Sequence, residues 1–559
     1  MSLIPLDRRP SRRRRVSLYA RIALLPIVAG FSASSGLASD PNAEAANFHK
    51  VDLLRKNVDL GKPNGAGVVV GIFESEGGPY AAHPAFQGRV IQVDGWGKPN
   101  HHGTHVAGTM GAAPAQMQAA EGMAPGVVIH AYEINEDYWQ EMRAVDRLMS
   151  VSVHSYNARA GWTLDRDGKI CTAGEDAPRH RQGRPCWAWE GGPGQAEDEI
   201  FGAYTVKSSR MDQIAVDQPH RTMIVSAGND RDDNPGGPGW DGRHVHYGVW
   251  AKGAHKADAA DRGYDTVGGD ESAAKNVITV GSLDDASPPV DPANTQNLKV
   301  SDFSGFGPTD DGRIKPDLVA NGRELVSLSM DQTPQGAITP TYASEWGTSM
   351  AAPVVAGIAA LLNQVSQATR QRPLFSDEMK AVLIHTAVNT QAGPSLRTGW
   401  GAVDALAAGM VAGARPGAPR LLRPRLAGPA GELRFRAMAG REVKATLVWL
   451  DSPGQPVEGL DKPDPALVDD LDLLLLDPRG TRHFPWSVAR TRTGETASSC
   501  SEPAGAPSAC RPNRRDNVEQ VQVPRHQVAE GEWTVRVSRA GGSTGKQYAL
   551  VLSGLDPLP

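Results

Sequence analysis

Between Gly67 and about residue 410 the chain alternates short, unbroken apolar runs with stretches of helical period. The runs fall at 68–73, 127–132, 148–153, 223–225, 277–280 and 318–320. Continuous runs of this length suit parallel strands buried on both faces, where no in–out alternation is required. Helical stretches lie between several of them, including 201–216 and 351–365. Strands alternating with helices predict an α/β fold, a parallel sheet flanked by helices. Two stretches break the rhythm, 161–194 and 230–270, and their turn-forming residues read as surface loops.

Around 413–424 the sequence turns to Pro, Gly and Arg (GARPGAPRLLRP), which predicts a linker. Beyond it helical periods stop. The segments 444–450, 471–476, 518–523, 533–537 and 548–552 read as strands between turns, so an all-β sandwich of jelly-roll type is expected. The predicted division is 39–415, a linker at 416–425, and 426–559.

Residues 1–38 stand apart. Arg8, Arg9 and Arg12 to Arg15 precede an apolar stretch at 22–31 and small residues at 36–38, the order of a cleaved secretory leader. The leader holds seven Arg against one Asp, so the rest of the chain is more acidic than the whole, whose formal charge is −5. An acidic chain without a basic stripe argues against nucleic-acid binding. A monomer without membrane contact after leader removal is expected. The four cysteines form two close pairs, Cys171 with Cys186 and Cys500 with Cys510, which predicts two local disulfides in an exported protein. Zinc is disfavoured because no CxxC spacing occurs.

Three segments carry candidate chemistry. In EWGTSMAAPVVAG (345–357) Gly347 permits a tight approach, and Ser349 opens an apolar helix whose positive end favours developing negative charge. A serine hydroxyl is a weak nucleophile and needs a base. HHGTHVAG (101–108) offers one in His102, a group that titrates near neutrality. VSAGND (225–230) ends a strand in Asn229, whose amide can donate to an oxyanion beside the Ser349 N–H. Each segment alone has an ordinary structural reading; the three in this order do not.

HGTHVAGT, SAGN and GTSMAAP in that order resemble the subtilisin-like serine peptidases over about residues 60 to 410. The resemblance implies Ser349 as nucleophile, His102 as general base and Asn229 as oxyanion donor. It also implies that Ser155, Tyr156 and Asn157 pair with extended substrate. Ser226, Ala227 and Gly228 would line the opposite side of the primary specificity pocket. The family's orienting Asp is missing from GVVVGIFESEGGPYAAHP. Counting along the strand from Gly67 puts Glu74 in its place; counting back from His83 puts Glu76 there. Glu74 is preferred, because a strand is a stiffer ruler than a turn.

The expected function is a secreted or periplasmic serine endopeptidase working through an acyl-enzyme on protein or peptide substrates. The alternative is a peptide-binding protein whose altered triad no longer cuts. No cofactor is expected for the chemistry. VDDLDLLLLDPRG (468–480) and RRDNVEQVQVP (514–524) are similar to a sandwich appended to some bacterial members. There Asp470, Asp472 and Asp516, with Asn517 and Glu519 nearby, are candidate ligands for a structural Ca²⁺.

Overall fold

The computed structural model describes residues 41–558 except 76, 95–97, 115–116, 135–137, 145–148, 166–185, 193–194, 196, 234, 236–242, 247–248, 253–262, 285–287, 294, 296–297, 492–493, 504–508 and 543–544. The candidate leader, Glu76 and Cys171 lie outside the described residues, as does the side chain of Cys186.

The apolar runs become a seven-stranded, all-parallel sheet. Its order is Leu318–Asn321, Ile278–Leu283, Thr222–Ser226, Met149–His154, Val69–Glu74, Val128–Glu133 and Val90–Gln92. Every residue of Met149–His154, Thr222–Ser226 and Ile278–Leu283 is buried, which is why these strands read as unbroken apolar runs. Three neighbouring strands, Val69–Glu74, Met149–His154 and Thr222–Ser226, lead at their carboxyl ends to Glu74, Ser155 and the Gly228–Asn229 turn. Ligand crevices of open α/β sheets form at such ends.

The helix Thr348–Arg370 packs under the sheet and has the length and composition to cross a membrane, but its apolar residues are the core itself. The helix His101–Gly111 lies against it, and a hairpin of Leu325–Gln332 with Ile338–Glu345 covers that helix from the far side.

The stretches expected as loops hold strands. Trp162–Asp165, Cys186–Trp189, Arg243–His246 and Val249–Lys252 form a small sheet. Trp162 and Trp189 pack edge to face at 5.0 Å and are almost wholly buried, so these bulky rings supply a core that turn-rich flanks disguise.

Among the described residues the C-terminal region forms antiparallel sheets of four and six strands and a two-stranded one. In Leu471–Leu476 burial alternates, with Leu471, Leu473 and Leu475 facing Trp449 and Trp533 in the core. The segment read as a linker is partly strand: Arg420–Leu422 pairs with Ala549–Ser553, and Arg425–Leu426 pairs with Lys546–Gln547. Leu421, Val448, Val518 and Val551 share one hydrophobic cluster with Ile384 and Val403 of the α/β part. The four-stranded sheet is thus covered on both faces, and the two parts share a core.

Candidate active site

The first N–H groups of a helix have no acceptor within it. At the start of Thr348–Arg370 the Thr348 N–H donates to Asn229 Oδ1 at 2.8 Å, and the Thr348 hydroxyl donates to the same oxygen at 2.9 Å. This fixes which way the Asn229 amide faces: its oxygen is engaged, so Nδ2 turns outward. Among the described residues neither Asn229 Nδ2 nor the Ser349 N–H has a protein acceptor. Gly347 sits between them at φ 144°, where a side chain is strained, and a Cβ there would lie 3.4 Å from Asn229 Nδ2 and 3.6 Å from Ser349 N. Two free donors thus flank one open space at the positive end of a helix.

The Ser349 hydroxyl donates to the Ser155 carbonyl at 3.1 Å. In return the Ser155 hydroxyl donates to the Ser349 carbonyl at 3.0 Å. Pro353 explains why that carbonyl is available: proline has no N–H for the oxygen four residues before it. A proline one turn into the helix therefore lets the end of a sheet strand hold the serine residue.

His102 belongs to the helix His101–Gly111, capped by Asn100, whose Oδ1 accepts the Gly103 N–H at 2.6 Å. His102 Nδ1 lies 2.8 Å from Oε2 of Glu74, the last residue of the strand Val69–Glu74. Both side chains are buried, His102 at 3 % and Glu74 at 0 % exposure. The carboxylate requires a proton on Nδ1, so Nε2 is left as the basic nitrogen. Burial pushes Glu74 up, and His102 only partly offsets this. Burial pushes His102 down, but the charge and hydrogen bond of Glu74, together with the Glu345 charge, more than offset it and leave the imidazole above its ordinary value. Gly103 makes room for the longer acid: a Cβ there would stand 3.2 Å from Glu74 Cγ.

The sequence reading missed Glu345, although it opens the serine segment. Its Oε1 lies 3.3 Å from His101 Nδ1. Burial would raise its pKa, yet His105, His101 and His102 together hold it down at about 2. A second fixed negative charge therefore stands beside the histidines. His105 turns away, its Nε2 2.9 Å from the Leu325 carbonyl. His154 is packed, stacked on Phe73 and bonded to Ser152 and the Tyr156 hydroxyl.

The remaining sequence candidates separate. Ser155, Tyr156 and Asn157 run beside Ser226, Ala227 and Gly228, and Asn157 bonds Ser226 directly. Cys500 and Cys510 form a disulfide. Asp470 and Asp472 have buried oxygens without partners, as does Glu519. Asp516 does not join them freely: its carboxylate accepts from the Ile314 N–H and the Asn513 amide, both at 2.8–2.9 Å. Among the described residues, Glu197, Asp265 and Asp461 also converge, with ligand atoms within 4.8 Å of one another.

Residues 65–401 match the family model described as "Subtilase family". Among curated proteins, the serine protease AprX of Bacillus subtilis (strain 168) is 39% identical over 116 residues, 20% of this chain and 24% of that protein. The C5a peptidase of Streptococcus pyogenes is 42% identical over 79 residues, 14% of this chain and 6% of that protein. The chain thus spans about a quarter or less of the length of these curated relatives. Of solved structures, the patellamide maturation protease PatA matches at a TM-score of 0.37 and 19% identity, over 63% of this chain and 98% of that one. A structure of MycP1 without its N-terminal propeptide matches at 0.36 and 19% identity, over 66% and 96%.

Proposed function

The chain belongs to the subtilase family of serine peptidases, and from that premise we propose that it is an exported endopeptidase acting through an acyl-enzyme on Ser349. The observation that carries the proposal is the buried 2.8 Å contact between Glu74 and His102 Nδ1. It supplies a charged, hydrogen-bonded orienter where the family's aspartate is missing.

In the proposed reaction an extended peptide lies along Ser155–Asn157, and its N–H competes for the Ser155 carbonyl. The Ser349 hydroxyl, displaced from that carbonyl, turns to His102 Nε2. His102 takes its proton as Oγ attacks the scissile carbonyl carbon. The oxyanion accepts from Asn229 Nδ2 and the Ser349 N–H, donors already aimed and free. Collapse breaks the C–N bond, and His102 returns the proton to the leaving amine. Water, deprotonated by His102, then attacks the acyl ester and regenerates Ser349. Glu74 holds the Nδ1 proton and stabilises the imidazolium throughout.

Export is supported by the leader-like residues 1–38 and by the Cys500–Cys510 disulfide, which suits an oxidising compartment. Each step uses side-chain and backbone groups of the chain itself. Fluorophosphonate labelling of purified protein beside Ser349→Ala, with casein turnover on the same samples, tests the proposal. Labelling and turnover that both vanish in the variant are expected. Well-folded protein that takes no label would instead favour a peptide-binding protein.

A further inference from the structure

We infer that the Asn157 side chain closes the crevice that receives the substrate side chain next to the scissile bond, restricting cleavage to positions after small residues such as Gly, Ala and Ser. The inference rests on the peptidase reading and deepens it.

The crevice is defined by the groups around the reacting atom. The scissile carbonyl carbon has to reach Ser349 Oγ while its oxygen meets Asn229 Nδ2 and the Ser349 N–H. Ser155, whose carbonyl is 3.1 Å from Ser349 Oγ, starts one wall. Ser226–Gly228, which leads directly into Asn229, forms the other. The two walls run side by side because their strands pair in parallel, with His154 opposite Val225. A substrate side chain on the acylated residue points between them.

Asn157 bridges this space. Its Oδ1 accepts from the Ser226 hydroxyl at 2.6 Å, and its Nδ2 donates to the Ser226 carbonyl at 3.1 Å and to Ser272 Oγ at 2.7 Å. Ser272 Oγ in turn donates to the same Ser226 carbonyl at 2.8 Å. Behind the amide lies Gly268, where a Cβ would stand only 2.7 Å from Asn157 Nδ2. The Gly268 N–H is fixed on the Ala227 carbonyl at 2.8 Å. The amide is therefore wedged between the opposite wall and a backbone that cannot retreat. Its donors and acceptor are all spent on held groups, so swinging it aside would strand several polar atoms at once. A large aromatic or branched side chain finds this space filled, while a hydrogen or methyl group needs none of it.

Two measurements on the full chain test this, with fluorophosphonate labelling run alongside. The first maps cleavage sites in casein by mass spectrometry for the unaltered enzyme. Cuts mainly after Gly, Ala and Ser are expected; cuts mainly after Phe, Tyr or Leu would overturn the inference, with no variant needed. The second compares kcat/KM on succinyl-Ala-Ala-Pro-Xaa p-nitroanilides with Xaa Ala or Phe, for the enzyme and Asn157→Gly. An Ala preference of about tenfold or more is expected, within the range a hydrocarbon pocket can enforce. In Asn157→Gly the Phe rate should rise about tenfold relative to Ala. An unchanged ratio in labelled protein overturns the inference alone, whereas absence of labelling overturns the peptidase reading and this inference with it.

Discussion

The Lys275 ammonium, which belongs to the α/β part, donates to the Asp451 carboxylate of the C-terminal part, and neither side chain reaches solvent. The same ammonium donates to the Ser452 and Ala466 carbonyls, each at 2.7 Å. Asn276 beside it exchanges backbone and amide bonds with Asp451 at 2.8 Å. A lysine with this many fixed acceptors acts as a rivet between the two parts.

Removing it would leave Asp451 charged, buried and short of a partner. Lys275→Met is therefore expected to lower unfolding free energy by about 3–5 kcal/mol. Urea denaturation followed by tryptophan fluorescence measures this, and a loss within error of zero would mean that the junction does not depend on the pair.

Glu74→Gln keeps the size of the orienting group and removes its charge. The loss in kcat should approach about 10⁴-fold, the scale seen when a triad carboxylate becomes an amide. The pH profile carries a second signature. His102 must be neutral to act, so activity rises with pH through its pKa, and the Glu74 charge raises that pKa. The acidic limb of kcat/KM should accordingly move to lower pH in the variant.

Asn229→Ala deletes one of the two free donors and also the acceptor that holds Thr348. A fall in kcat of about 10²–10³-fold with KM little changed is expected. Thr348→Val removes the hydroxyl bond to Asn229 Oδ1 and the acceptor of the Gly228 N–H, keeps the Thr348 N–H bond to Asn229, and should cost less. Equal losses in kcat and rises in KM would argue that Asn229 serves binding instead.

His49 is buried with its two nitrogens committed, Nδ1 at 2.7 Å from the Val403 carbonyl and Nε2 accepting the Asn321 N–H at 3.2 Å. That pattern fits only the neutral ring, and burial pushes its pKa down to about 4. The folded value lies below the unfolded 6.5, so the stabilising effect is complete above pH 6.5 and fades as pH falls toward 4. The loss should reach on the order of 3 kcal/mol at the acid end. The stability gap between the protein and His49→Gln, measured by urea titration from pH 7.5 to 4, should shrink accordingly. A gap independent of pH would contradict it.

The parallel sheet was legible in the sequence because strands buried on both faces must be apolar throughout, a local requirement that local sequence records. The serine, histidine and asparagine segments were legible for a similar reason: each needs glycine or small neighbours at a strand end or helix start. Other features depend on what lies across the fold. Glu74 reaches His102 through a space that a Cβ on residue 103 would crowd, and the Asn229 amide faces outward because Thr348 claims its oxygen. Trp162 and Trp189 make a core inside a stretch that reads as loop, and the segment 420–426 becomes strand because Ala549–Ser553 and Lys546–Gln547 offer edges to pair with. The closing of the crevice by Asn157 depends on Ser226, Ser272 and Gly268, which lie 69 or more residues away in sequence. Sequence pattern reports which surfaces must be buried; the folded chain alone decides which distant groups are pressed against one another there.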